Sequence, residues 1–96
     1  MLVEYTINVN NLFVSGEWDN VNEEASGDNY REMVRQEIAA YFDNEANVSV
    51  DEIYNGNDNL YVQNKEGNDV TDEHRAAIEH IAGKVFGDMD WVIYND

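Results

Sequence analysis

Apolar residues occupy every second position of residues 3–9, a pattern that predicts a half-buried β-strand. Asn10 and Asn11 follow, and because Asn tolerates positive φ we expect a tight hairpin turn at this point. The apolar run after the turn predicts a second strand over residues 12–18. Three further strands are predicted by similar segments, at residues 48–54, 60–63 and 89–94.

Two segments show the helical spacing of apolar residues instead. A stripe of aromatic and aliphatic residues predicts a first helix over residues 28–43, capped by Ser26 or Asp28. Thr71 is a suitable N-cap for a second helix, whose apolar stripe lies in residues 78–86 and whose C-cap is expected at Gly87. Turn-rich stretches at residues 55–58 and 65–69 bound the short fourth strand.

The predicted element order is therefore ββαββαβ. This order indicates the α+β class, with a mainly antiparallel sheet of about five strands and two helices packed on one face. With 96 residues and no boundary, repeat or low-complexity tract, the chain is expected to form a single domain over residues 1–96.

The charge balance is the most unusual property of the composition. Twenty-one acidic residues stand against five basic ones, giving a formal net charge of −16. Because 43% of the residues are apolar and 11% are aromatic, the chain is too hydrophobic for a disordered acidic tail. Such a surface repels nucleic acid and anionic membranes and attracts basic proteins, so we expect neither direct nucleic-acid binding nor membrane binding.

The sequence offers no pattern for catalysis or metal binding. There is no Cys and no glycine-rich phosphate loop, and no Ser stands in a nucleophile motif. His74 and His80 are six residues apart, so they do not share one helix face as a zinc pair does. An EF-hand frame starting at Asn55 has Leu60 where Gly is required. We therefore expect a non-enzymatic protein without cofactor or metal.

No stretch approaches the ~20 apolar residues of a membrane span, and the first residues do not resemble a signal peptide. The expected location is the cytoplasm, which would be that of the host cell if the gene is carried by a phage.

The acidic residues are unevenly placed along the chain. Residues 1–30 and 36–64 contain no Lys or Arg. On the predicted helices, Arg35 can pair with Glu32 and Arg75 with Glu79. The remaining acids fall in predicted loops and strand edges, where they should be exposed and ionised.

The chain is a small, Cys-free, strongly acidic α+β domain with the acidic clusters NEE, DNE, DE and NDN. In these features it resembles phage-encoded DNA mimics, which include anti-CRISPR and anti-restriction proteins. The resemblance covers the composition of the whole chain and includes no aligned motif. It implies a basic nucleic-acid-binding partner, either a CRISPR effector or Cas subunit or a restriction enzyme, with the anti-CRISPR role favoured.

Carboxylates spaced a few ångströms apart can contact the Lys and Arg side chains that otherwise neutralise DNA phosphates. Trp18 and Tyr54 are the candidate apolar anchors beside them. The candidate partner-binding residues are Glu17, Asp19, Glu23, Glu24, Asp28, Asp43, Glu45, Asp51, Glu52 and Asp58.

Three other interpretations of the charge remain open. The chain could be an acidic protein-interaction or regulatory module that does not imitate DNA, or a halophilic domain of unrelated function. Acidity could also serve solubility alone, although a net charge of about 2 to 8 in magnitude is enough for a small domain.

Overall fold

The computed structural model describes residues 1–13 and 18–95. In this part of the chain six elements follow one another: β1 (Leu2–Asn8), a 3₁₀ helix (Val9–Phe13), α1 (Glu23–Tyr41), β2 (Asn47–Ile53), β3 (Asn59–Gln63) and α2 (Thr71–Asp88). The α+β class is confirmed, with two helices and one sheet.

The described sheet has three strands in the order β2-β1-β3 and is mixed rather than antiparallel. Strand β1 runs parallel to β2, with Tyr5 opposite Val50, and antiparallel to β3, with Tyr5 opposite Leu60. Parallel neighbours need a crossover connection, and α1 provides it between β1 and β2. The predicted order ββαββαβ and the antiparallel sheet of five strands are therefore wrong for the described residues.

Both helices pack on the same face of this sheet. Val3, Tyr5 and Ile7 of β1 are buried in one hydrophobic cluster with residues of α1 and α2. Ile38 of α1 and Ile78 of α2 are both 0% exposed in that cluster. The alternating residues of β1 point away from the helices, where Glu4 lies beside Ser49 and Tyr61. The result is a two-layer domain with a polar outer sheet face.

Two predicted strands are replaced by other structure. Residues 9–13 form the 3₁₀ helix, so the hairpin turn at Asn10 and Asn11 is wrong, while residues 14–17 of the predicted second strand lie outside the described residues. Residues 89–94 form no strand, and they contribute only an isolated bridge between Tyr94 and Val21. Val9 and Leu12 of the first segment and Trp91 of the second pack in the core without a sheet partner, whereas Met89, Ile93 and Tyr94 are exposed.

The helix boundaries also differ from the predicted ones. The first helix begins five residues earlier than expected, because the Asn22 side chain accepts a hydrogen bond from the Ala25 amide at 3.0 Å and caps it. Ser26 and Asp28 therefore lie inside the helix. At the second helix, Thr71 is the first helical residue, and its Oγ1 accepts from the Val62 amide instead of capping. The left-handed residue that ends α2 is Met89 rather than Gly87.

The C-terminal segment is fastened to α1 mainly by side chains. Ser26 is fully buried, and its hydroxyl accepts from the Ile93 amide at 2.7 Å and donates to the Ile93 carbonyl at 3.2 Å. Asn29 donates to the Trp91 carbonyl at 3.1 Å. These contacts satisfy backbone groups that a sheet would otherwise satisfy, so the segment needs no neighbouring strand.

Replacing Ser26 with Ala is expected to destabilise the domain by about 1–3 kcal/mol, because the partly buried Ile93 amide loses its acceptor. Urea denaturation followed by far-UV circular dichroism measures the change. Ser49→Ala is the matched control, since Ser49 lies exposed on the outer sheet face and its loss should change stability by less than about 0.5 kcal/mol. Equal stability of the two variants would contradict the role of Ser26.

The domain is elongated, with principal extents of 47, 27 and 18 Å. Within the described residues, neither helix is apolar enough over its length to cross a membrane.

Candidate binding surface

Every acidic residue in the described part of the chain is exposed, which amounts to 19 of the 21. The sequence prediction of exposed carboxylates is confirmed at these positions. All of these carboxylates therefore remain accessible to a partner after folding. Their mutual repulsion acts between charges at the protein surface.

The arginines are engaged by the chain's own carboxylates. Arg35 donates to Glu32 at 2.5 and 2.8 Å, and Arg75 donates to Glu79 at 3.3 Å, as the helical spacing predicts. Hydrogen bonds from Arg35 and Gln36 lower the pKa of Glu32 to about 2. Glu32 is therefore ionised at neutral pH.

Arg31 makes the contacts that the sequence prediction missed. Its guanidinium lies between α1 and β2, where it pairs with Asp28 and approaches Glu52 at 3.7 Å. It also donates to the Val50 carbonyl at 3.3 Å. This last bond covers part of the free edge of β2, which opposes pairing with a further strand.

Both lysines also lie among carboxylates. Lys65 lines one hollow with Glu45 and Glu66. Lys84 lines a groove between the two helices with Glu37, Asp88 and Asp90. None of the basic side chains therefore forms a positive patch in the described residues.

One end of α1 gathers three of the candidate residues. Glu23 and Glu24 form its first turn, where the helix dipole favours negative charge. With Glu52 they line a cleft of about 200 Å³, and Tyr54 lies at the same cleft. Tyr54 is 58% exposed, as expected for an anchor, and its interaction with the Glu52 carboxylate raises the pKa of its hydroxyl. We call these four residues the α1 N-terminal cluster.

The other candidate residues do not join this cluster. Asp43 and Glu45 follow the C-terminus of α1, about 28 Å from its first turn at 1.5 Å per residue over 19 residues. Asp51 lies on the outer face of the sheet, opposite Thr6. The structure thus distributes the candidate carboxylates over several faces and does not align them in one stripe.

Four further candidate residues occupy other positions. Asp28 pairs with Arg31 beside the cluster, and Asp58 accepts a hydrogen bond from the Asn8 amide at 2.7 Å, so both also have a structural role. Asp19 is exposed in a turn. Glu17 lies outside the described residues.

Trp18 differs from the anchor that the sequence predicts. It is half-buried, and its ring centroid lies 5.1 Å from that of Phe13 and 5.9 Å from that of Trp91. Trp91 itself is fully buried, whereas Tyr94 is 64% exposed. Tyr54 is therefore the better placed of the two proposed anchors.

The histidines lie apart from any carboxylate cluster that could bind a metal. His74 packs against Tyr41 and Phe42, with its Nδ1 atom 3.3 Å from the Tyr41 hydroxyl. His80 is exposed at the groove between the helices. Among the described residues, no group of three or more His, Asp or Glu side chains has an arrangement suited to a metal ion.

Comparison with protein-family models, with curated proteins and with solved structures finds no match to this chain.

Proposed function

We propose that this protein is a non-enzymatic inhibitor that binds the basic nucleic-acid-binding surface of a bacterial defence complex and blocks its access to target DNA. A CRISPR effector is the favoured target, and a restriction enzyme is the second. The observation that carries the proposal is the surface charge: 19 carboxylates are exposed, while the five basic residues lie among carboxylates of the same chain.

The density of charge supports imitation of a nucleic-acid backbone. The described residues carry a net charge of −14 along a long axis of 47 Å, or one net charge per about 3 Å. A single DNA strand carries one phosphate per ~3.4 Å, and a duplex one charge per ~1.7 Å. Summed over all its faces, the domain therefore carries about the charge density of one strand.

The mechanism follows from the energetics of exposed charges. A single exposed ion pair contributes only about 0.2–1 kcal/mol, so affinity must come from many simultaneous contacts. The same field attracts a basic channel over a distance and speeds association. Once this protein occupies the channel, its volume leaves no room for target DNA and its negative charge repels the DNA phosphates.

The test uses purified, guide-loaded CRISPR effectors and DNA-free restriction enzymes. We expect this protein to lower target-DNA binding in gel-shift titrations, with excess DNA restoring it, and to lose affinity steeply as salt rises from 50 to 200 mM. A complex that holds DNA and this protein at the same time would show that it is an acidic interaction module and not a DNA mimic.

Salt should also act on the fold itself. We expect the melting temperature to rise with NaCl through the first few hundred millimolar, because the Debye length falls from ~30 Å at 0.01 M to ~10 Å at 0.1 M and self-repulsion is screened. Thermal unfolding by circular dichroism measures the rise. The variant E23Q/E24Q/D72N/E73Q, with four fewer negative charges, should respond less steeply.

A halophilic domain would behave differently in that experiment. It would be unfolded at 0.1 M NaCl and would fold only near molar salt. That outcome would contradict the proposed function, since an inhibitor of this kind has to fold at the salt concentration of an ordinary bacterial cytoplasm.

A further inference from the structure

A second cavity lies away from the α1 N-terminal cluster, where the end of β1 and the 3₁₀ helix meet α2. Its volume is about 300 Å³. Aromatic side chains of Tyr5, Tyr30 and Phe86 form part of its wall, and Asp58 and Glu79 supply carboxylates. We call it the β1–α2 pocket.

The Tyr5 hydroxyl gives this pocket unused hydrogen-bonding capacity. Tyr5 is only 7% exposed, yet its hydroxyl makes no hydrogen bond within the described residues. Tyr30, on the same wall, differs in that it donates to the Ala82 carbonyl at 3.0 Å. The Tyr5 oxygen is not among the fully buried polar atoms that lack a partner in the described residues, so it is accessible from the pocket and free to bond a ligand there.

The charge of the pocket selects a cation. Burial, and then the negative charges of Asp58 and Glu79, raise the pKa of Tyr5, so the phenol stays neutral at physiological pH. Asp58 is held in place by the Asn8 amide at 2.7 Å. Glu79 is contacted by Arg75 at 3.3 Å, a long and exposed bond that an incoming cation can replace.

Gly83 keeps the pocket open on the α2 side. A glycine inside a helix costs about 1 kcal/mol relative to alanine. Gly83 lines the pocket, and a Cβ at this position would meet no atom within 4 Å. Local packing therefore does not require glycine here, and a large side chain at this position would have room to extend over the pocket.

We propose that the β1–α2 pocket receives an arginine side chain of the partner protein. A guanidinium is flat enough to stack on the aromatic wall and has five donors for the two carboxylates and the Tyr5 hydroxyl. The inference rests on the proposed function, because it assigns one anchoring contact to a partner that is basic. The arginine contact would add one specific site to a protein–protein interaction that otherwise depends on carboxylates spread over the surface.

The test measures binding of N-acetyl-arginine-methylamide to the ¹⁵N-labelled protein by NMR at low salt. The lysine analogue has the same charge, and the citrulline analogue has the same shape without charge. We expect saturable shifts centred on residues 5, 8, 58, 79 and 83 at millimolar arginine, at least about threefold weaker binding of lysine and no saturation by citrulline. Shifts spread evenly over the acidic surface, or equal binding of lysine, would overturn the assignment.

Two substitutions keep the test independent of folding defects. Gly83→Leu should obstruct the pocket and Glu79→Gln should remove one carboxylate, each weakening arginine binding at least about fivefold. Their matched controls on the same helix are Gly87→Leu, at another glycine with open space around it, and Glu73→Gln. Equal binding by Gly83→Leu and Gly87→Leu would overturn the proposal.

The outcome is separable from that of the proposed function. If the protein competes with DNA for its partner and Gly83→Leu competes equally well, the pocket assignment is wrong while the inhibitor function stands. If DNA does not compete, the arginine titration still decides whether the pocket binds a guanidinium.

Discussion

Replacing Trp91 with alanine is expected to destabilise the domain by about 3–5 kcal/mol, the largest effect of any single substitution considered. Trp91 is fully buried, and its ring stacks on Phe86 with centroids 5.6 Å apart and packs edge-on against Tyr30 at 5.3 Å. Its indole nitrogen donates to the Phe86 carbonyl at 3.2 Å. Since small domains have a total stability of about 5–15 kcal/mol, this loss would remove a large share of the stability of the domain.

The large loss of stability follows from the position of Trp91 in the C-terminal segment. It belongs to a segment without strand structure, so its packing and the Ser26 and Asn29 side chains hold that segment against the domain. Removing the ring leaves a cavity between α1 and α2 and frees the segment as well. Urea denaturation monitored by circular dichroism gives the change, and Tyr94→Ala is the control, since Tyr94 is 64% exposed in the same segment. A loss below about 1 kcal/mol for Trp91→Ala would contradict this account.

The spacing of apolar residues was enough to predict the strands and helices that bury one face. Strand β1 alternates because one face meets the helices, and both helices carry apolar stripes for the same reason. The pattern failed at residues 9–13, where Val9 and Leu12 are buried without a sheet partner. It also failed at residues 89–94, where Trp91 is buried but Met89 and Ile93 are exposed. A short apolar run does not distinguish a strand from a 3₁₀ turn, and hydrogen bonds from Ser26 and Asn29 leave no periodic signal.

The same error explains why the parallel pairing of β1 and β2 was not predicted. With a strand predicted at residues 12–18, a hairpin accounted for β1 and left no reason for a crossover. Once residues 9–13 are a 3₁₀ helix, the order becomes strand, helix, strand, which favours a parallel pair.

Exposure of the carboxylates was predictable, and their arrangement was not. Acidic residues in a 96-residue domain have little chance of burial, so the sequence predicted the exposure seen at every described position. Which carboxylates meet depends on contacts distant in sequence, such as Arg31 with Glu52. The Asp28 pair lies at helical spacing and could have been anticipated.

Reversing the charge of the α1 N-terminal cluster is the largest expected effect on binding. Under the proposed function, E23K/E24K should weaken the partner complex by about 100-fold, equivalent to ~2.7 kcal/mol. Close charge pairs across interfaces contribute about 1.5–7 kcal/mol, and lysine would replace attraction by repulsion. Isothermal calorimetry or gel-shift competition with the purified partner measures the loss.

The control for this substitution is D72K/E73K. Asp72 and Glu73 occupy the first turn of α2 as Glu23 and Glu24 occupy that of α1, so both variants change the net charge equally and place lysines against the same helix dipole. Any difference in binding between them therefore reports the position of the charge. We expect D72K/E73K to retain most of the affinity. Equal losses would mean that total charge governs binding and that the α1 N-terminal cluster has no special place in the interface.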